Sequence, residues 1–150
     1  MRSLRAWISR KPGRAEADDA ESRAAARNLA VAALLVEVLR ADYDVSSEER
    51  RQVLDSIGRI LGLDAAQSEA LLAEADHTVD RSHDLHQFTS QVNRAFDHAE
   101  KLRLVEQMWR VAQSDAIVHK YEEHIIRRVC DLLHVSHREF IAAKLRAAEG

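Results

Sequence analysis

Five acidic residues in two similar stretches are the side chains best suited to chemistry in this chain of 150 residues. They are Asp42, Asp44 and Glu49 in the first stretch, and Asp115 and Glu122 in the second. In each stretch a Glu follows the first Asp after seven positions, and the two stretches lie 73 residues apart. Carboxylate oxygens gathered in short loops are the ligands that Ca²⁺ and Mg²⁺ prefer. The repeated spacing therefore predicts a divalent-cation site built from duplicated Asp/Glu loops.

Helix capping is the alternative interpretation of these residues. Ser46 and Glu49 stand at the N-cap and N3 positions of a capping box, whose two side chains satisfy two backbone N–H groups. His119 takes the N-cap place in the second stretch, where it is a weaker cap than serine. An aspartate at a helix C-terminus is unfavourable unless an Asx turn or a cation offsets the helix dipole. Capping therefore explains Asp42 and Asp115 less well than it explains the glutamates.

Other metal sites fit the sequence poorly. An EF-hand loop beginning at Asp42 would need glycine at its sixth position and glutamate at its twelfth, where the chain has Ser47 and Val53. Several histidines lie three or four residues from another histidine or an acid, which allows a zinc hypothesis, but surface histidines explain them better. No HExxH sequence occurs, and a single cysteine excludes a cysteine-rich zinc site.

The lone cysteine, Cys130, lies on an apolar helical face and is interpreted as a core residue rather than a catalytic thiolate. It also precludes an intramolecular disulfide, as expected of a cytoplasmic protein. Because no nucleophile-elbow sequence occurs either, we expect no enzymatic activity. A metalloenzyme would need ligands that converge in one pocket, and the sequence does not require the two loops to meet.

The elements that must position these residues are helices. The chain has four glycines and one proline, and it is rich in strong helix formers, so the predicted class is all-α with one compact domain. Hydrophobic periodicity predicts a polar loop at 76–84, and Trp109, Val111, Ile125, Val129 and Cys130 are expected to be buried with Leu34, Val38, Val53 and Ile57. The predicted helices are 18–41, 46–61, 64–75, 85–96, 97–114, 119–134 and 136–148.

The first fourteen residues differ from the rest. Residues 1–14 carry five basic side chains and no acid, whereas residues 15–150 have a net charge of −8. We therefore expect a basic N-terminal segment, 1–14, ahead of a helical domain at 15–150. Leu4, Trp7 and Ile8 recur at helical spacing, so the segment could lie on an acidic partner surface or an anionic membrane. A frayed end, or a helix folded onto the body, is the alternative.

Two classes of partner are disfavoured by charge and hydropathy. The acidic body repels phosphate backbones, which argues against broad nucleic-acid binding. The longest uncharged apolar run, at 29–36, is too short to span a bilayer.

The two acidic stretches resemble the TerB-like family, which is named for bacterial tellurite resistance. The resemblance covers about residues 25–148 and is carried by Ala41-Asp42-Tyr43-Asp44-Val45-Ser46-Ser47-Glu48-Glu49 and by Asp115-Ala116-Ile117-Val118-His119-Lys120-Tyr121-Glu122. Tyr43 and Ala116 replace the glycine of the family pattern. The resemblance implies a compact bundle of seven to eight helices with two pseudo-twofold helix–acidic loop–helix repeats, and it implies the metal-binding pairs Asp42 with Glu49 and Asp115 with Glu122.

The sequence thus leads to two hypotheses about function. The first is a non-enzymatic cytoplasmic protein that binds a divalent cation weakly through its Asp/Glu pairs, in a response to metal (tellurite) or envelope stress, with a peripheral location at the inner membrane as the alternative to a purely cytoplasmic one. The second is a helical interaction module that binds a protein partner and whose acidic loops only cap helices.

Overall fold

The computed structural model describes residues 14–41, 45–81, 84–115 and 117–149, which form seven α-helices and no strand. The predicted all-α bundle is confirmed. None of the helices in these ranges has the length and apolar character needed to cross a bilayer. The helices are α1 (Arg14–Arg40), α2 (Ser47–Leu61), α3 (Ala65–Arg81), α4 (Leu85–Ala95), α5 (His98–Gln113), α6 (Lys120–Leu133) and α7 (His137–Glu149).

The C-terminal half of α1 is the centre of the bundle. Residues 30–36 are all buried, so no face of the helix reaches solvent there. The helix packs against α2, α3, α4, α5 and α6. A helix that is apolar all round is stable only when other elements enclose it, and five neighbours do so here.

A stretch in the first half of α1 is exposed to solvent instead. Residues 19–23 are all exposed, and five consecutive residues cover more than one full turn of 3.6 residues. No face of this stretch can therefore be packed against the described part of the chain. The helix begins at Arg14, earlier than the predicted residue 18.

Eight of the nine predicted core residues are buried. The ring of Trp109 packs 5.1 Å from that of Phe140, between centroids, and joins α5 to α7. Ile125 is the exception and is partly buried, because the buried stripe of α6 passes through its neighbour Ile126 and through Val129.

The predicted loop at 76–84 was wrong over its first six residues, which continue α3 as far as Arg81. Val79 is fully buried, so this polar stretch still has one apolar face. Arg40 also donates from Nη2 to the carbonyl of Asp76, at 3.1 Å, and its Nη1 pairs with Asp80. Tertiary contacts of α1 with α3 therefore stabilise a helix that the polar sequence does not predict.

Helices α2 and α6 match closely in length and in how they end. They contain 15 and 14 residues, and each is followed by a residue in the left-handed region, Gly62 at φ 68° and His134 at φ 62°. The one-residue difference explains why the sequence offset is 73 at the acidic stretches and 72 at the helix ends. The pseudo-twofold relation of the two copies stays a prediction, because residues 42–44 and 116 lie outside the described ranges.

Candidate functional site

Glu49 caps the start of α2 in the predicted manner. Its Oε1 accepts a hydrogen bond from the backbone N–H of Ser46 at 3.2 Å, and the Ser46 hydroxyl accepts one from the N–H of Glu49 at 3.1 Å. These two bonds complete the capping box and satisfy donors that the helix itself leaves unpaired.

Glu122 takes the same position at the start of α6. Its Oε1 accepts from the backbone N–H of His119 at 3.0 Å. His119 has the extended backbone of an N-cap residue, with φ −78° and ψ 146°. The two glutamates are therefore held by their Oε1 atoms in the same way, at the N-termini of two core helices.

Capping does not explain where these two side chains lie. Glu49 and Glu122 both have no exposed surface, and they are the only buried carboxylates in the described part of the chain. Glu100 provides the contrast, because it occupies N3 of the capping box of α5 and remains partly exposed. A capping box thus works at the surface, and the burial of the other two glutamates needs a further cause.

The carboxyl groups of Glu49 and Glu122 lie against each other in the interior. The Oε2 atom of each is buried and has no hydrogen-bond partner among the described residues. Burial chiefly raises the pKa of Glu122 to about 8; a shared hydrogen bond with the Glu49 carboxyl and the charges of Glu49 and Asp115 add to the rise, although the His119 amide opposes it. Two carboxylates this close share a proton or hold a cation, because two adjacent buried negative charges are strongly unfavourable.

Asp115 lies beside this pair at the end of α5. Its side chain is 22% exposed, its Oδ1 accepts from the N–H of Ile117 at 3.4 Å, and its Oδ2 is 3.9 Å from Nε2 of His119. The bond to Ile117 is an Asx turn, which offsets part of the cost of an aspartate at a helix C-terminus. Asp115 therefore has a local role and also adds negative charge near Glu122.

The remaining two predicted ligands, Asp42 and Asp44, lie outside the described residues. Within the described ranges, no three histidine, cysteine, aspartate or glutamate side chains form a group that could hold a metal ion. The described part of the candidate site is thus the Glu49–Glu122 pair, with Asp115 nearby.

The structure places the other candidate side chains outside any such site. Cys130 is buried, as predicted, and burial raises the pKa of its thiol to about 12, so it is not a nucleophile at neutral pH. His98 Nε2 lies 2.6 Å from Glu139 Oε2 at the surface. The backbone amide of Ser136 and, to a smaller extent, the hydrogen bond with His98 lower the pKa of Glu139 to about 2. These are contacts at the surface and not part of a buried site.

The sequence did not reveal that glutamates from the two stretches meet. The signal in the sequence was that each glutamate stands seven residues after an aspartate. Each also occupies N3 of a helix that has a strongly apolar face. Both helices pack against α1 and α5, and the contact between the two glutamates brings their first turns together. We call residues 45–49 and 115–122, which surround the pair, the acidic end.

Large apolar side chains are exposed around the acidic end. Val45 is 46% exposed, Ile117 is 65% exposed and Tyr121 is 63% exposed. Each lies within five residues of one of the two paired glutamates. The segments that carry the buried carboxylates therefore also carry exposed apolar side chains.

Comparison with known proteins places this arrangement in a family. No curated protein and no solved structure is significantly similar to the chain. The family model described as tellurite resistance protein TerB matches residues 28–145, which run from the second half of α1 into α7. The chain therefore belongs to the TerB family.

Proposed function

We propose that this TerB-family protein is non-enzymatic and binds a divalent cation between Glu49 and Glu122. The observation that carries the proposal is that both carboxylates are fully buried, lie against each other and each have an oxygen without a partner. An unpaired buried charge costs several kcal/mol in real proteins. A divalent cation would neutralise both carboxylates at once and would bind their two free oxygens.

The ligand chemistry favours a hard cation. The two glutamates and the nearby Asp115 offer oxygen atoms only, which suit Ca²⁺, Mg²⁺ or Mn²⁺ better than a metal that prefers thiolate or imidazole. Two glutamates are too few for such an ion, which takes six or more oxygens. We propose that Asp42 and Asp44 supply further ligands, because the first of these precedes Glu49 by the spacing that separates Asp115 from Glu122.

The wider role follows from the family. The matching family is described by tellurite resistance, and we propose that cation binding here belongs to a cytoplasmic response to metal (tellurite) or envelope stress. In that role the protein would report or buffer the cation rather than transform a substrate.

Calorimetry with Ca²⁺, Mg²⁺, Mn²⁺ and Zn²⁺, on protein first treated with a chelator, tests the proposal. We expect binding of at least one hard cation, and Glu122→Gln should weaken it at least about tenfold. Glutamine keeps the hydrogen bond to the His119 amide, so the change removes charge with little effect on capping. Asp42→Ala should also weaken binding if that residue is a ligand.

Glu100→Gln is the matched control, because it makes the same change in a capping box whose glutamate is partly exposed. It should leave cation affinity unchanged. If none of the four cations binds the wild-type protein, or if both glutamine variants weaken binding equally, the cation proposal is wrong.

The second candidate function is a helical interaction module in which the glutamate pair only shares a proton. The exposed side chains of Val45, Ile117 and Tyr121 favour it, because clustered apolar surface commonly marks a protein-binding site. Calorimetry separates the two functions, since a module of this kind needs no cation.

A further inference from the structure

We propose that the outer face of α7 binds the same face of a second copy, so that the chain forms a symmetric dimer through an antiparallel pair of helices. We call Arg138, Ile141, Leu145 and Glu149 the α7 face. The proposal is independent of the cation, because no residue of the α7 face belongs to the candidate site.

The four side chains of the α7 face lie on one side of the helix. At about 100° per residue, they span an arc of about 80° around the helix axis. This arc is opposite Phe140, Ala143 and Ala147, the buried residues of α7, which packs against α5 and α6. The α7 face therefore points away from the bundle.

The middle of the α7 face is apolar although it is open to solvent. Ile141 is 36% exposed and Leu145 is 59% exposed, and they lie about one helical turn apart. Of the large hydrophobic side chains that are exposed in the described ranges, they are the only two that share a helix. Ala142 and Ala148 flank them with small side chains, so a second helix can approach closely.

The two ends of the α7 face are charged in the sense opposite to the one that the helix dipole favours. Arg138 lies in the first turn of α7, at the positive end of the dipole, and Glu149 is its last residue, at the negative end. Neither side chain has a hydrogen bond or an ion pair with the described part of the chain. Both charges are therefore unfavourably placed in a single molecule.

Charges on the flanks of the same helix behave differently. Glu139, in the first turn, accepts from the backbone N–H of Ser136 at 3.0 Å and lies 2.6 Å from Nε2 of His98. Arg146, in the last turn, donates from Nε to Glu106 at 2.9 Å. Both charges agree with the dipole and have partners within the chain. The opposite arrangement is thus confined to the α7 face.

One antiparallel register satisfies all four residues of the α7 face. At about 1.5 Å per residue, the midpoint between Arg138 and Glu149 lies within about 1 Å of the midpoint between Ile141 and Leu145. A two-fold axis through this point places Arg138 opposite Glu149 of the partner subunit, and Ile141 opposite Leu145 of the partner subunit. It also puts each charge at the end of the partner helix whose dipole attracts it.

A second copy is the occupant that this pattern selects. The complementary charges lie on the same helix, so each copy supplies what the other lacks, as in an isologous contact. A parallel pair of helices would bring like charges together at both ends, which disfavours it. Two helices of 13 residues form a contact about 20 Å long, which indicates a weak dimer with a dissociation constant of about 1 μM to 1 mM.

Sedimentation velocity of the full chain, at low salt and with a chelator present, tests the proposal. The mean mass should rise with protein concentration from 17.0 kDa toward twice that value and no further, because a two-fold contact closes. Leu145→Glu should weaken association at least about tenfold, since it puts charge at the centre of the contact. Ile117→Glu is the matched control, because Ile117 is 65% exposed but lies outside the α7 face, and it should associate like the wild type.

Charge reversal tests the register. Arg138→Glu and Glu149→Arg should each weaken self-association at least about fivefold, because each brings like charges together at both ends of the contact. An equimolar mixture of the two variants should recover the wild-type mass, since an α7 face with two acids then meets one with two bases. Both residues are exposed, so the bundle should stay folded, which circular dichroism checks.

Three outcomes would overturn the proposal. The first is a wild type that stays at 17.0 kDa up to about 1 mM, which would leave the α7 face for a different protein. The second is equal weakening by Leu145→Glu and Ile117→Glu, and the third is a mixture of the charge variants that does not associate. The chelator excludes association through a bridging cation, so none of these outcomes bears on the cation proposal.

Discussion

At the scale of single residues, the contact between Glu49 and Glu122 links stability to pH. The pKa of Glu122, raised chiefly by burial to about 8, lies above the usual value of a glutamate in an unfolded chain. The folded, cation-free protein therefore holds a proton that the unfolded chain has already released. Its stability is greatest below about pH 4.5 as far as this group is concerned, and declines as pH rises toward 8.

Glu122→Gln should remove this decline. In chelator, we expect the variant to be more stable than the wild type at pH 8, by about 1–3 kcal/mol, and similar to it at pH 5. Urea unfolding at the two pH values measures the difference. Glu100→Gln should change neither value by more than about 0.5 kcal/mol. If the difference in stability between the wild type and Glu122→Gln is the same at pH 8 as at pH 5, the shared proton is contradicted.

The C-terminus of α6 provides a second prediction at this scale. His134 adopts φ 62°, a conformation that costs a side-chain-bearing residue about 1 kcal/mol relative to glycine. His134→Gly should therefore stabilise the protein by about that amount in thermal or urea unfolding. Gly62→Ala, at the matching end of α2, should destabilise it by a similar amount. If His134→Gly is destabilising, the imidazole must make interactions that outweigh the strain.

At the scale of elements, α5 joins the two halves of the bundle. It packs against α1, α2, α6 and α7, and Trp109 is fully buried at its centre. Trp109→Ala should cost about 3–5 kcal/mol in urea unfolding, because it leaves a large cavity beside Phe140. Trp109→Phe should cost clearly less, since it keeps most of the volume. Equal losses for both variants would show that ring shape, rather than volume, governs this site.

The sequence predicted those elements whose hydrophobic pattern agrees with their tertiary surroundings. The apolar middle of α1 and the stripe of α6 are of this kind, and both are buried as expected. The last turns of α3 are not, because their stability comes from Arg40 and from one buried face around Val79. The pairing of Glu49 with Glu122 was likewise not predictable, since it depends on how α2 and α6 each pack against α1 and α5 and not on either stretch alone.

At the scale of the whole molecule, the chain has a packed bundle and a first helix that extends beyond it. Ala30 is the first buried residue in the described part of α1, and the family match begins two residues earlier, at residue 28. The part of the sequence that defines the family thus coincides closely with the packed part.

The exposed turns of α1 also determine where a protease would act first. A helix without tertiary contacts frays easily, and a frayed segment can enter a protease active site while the rest stays folded. Brief digestion with trypsin should therefore cut after Arg23 and leave a stable product that starts at Ala24, because Arg27 is already half-buried. Mass spectrometry of the products tests this, and early cuts within α2 or α6 would contradict it. Such a cut would release residues 1–23 in one irreversible step while the bundle stays folded.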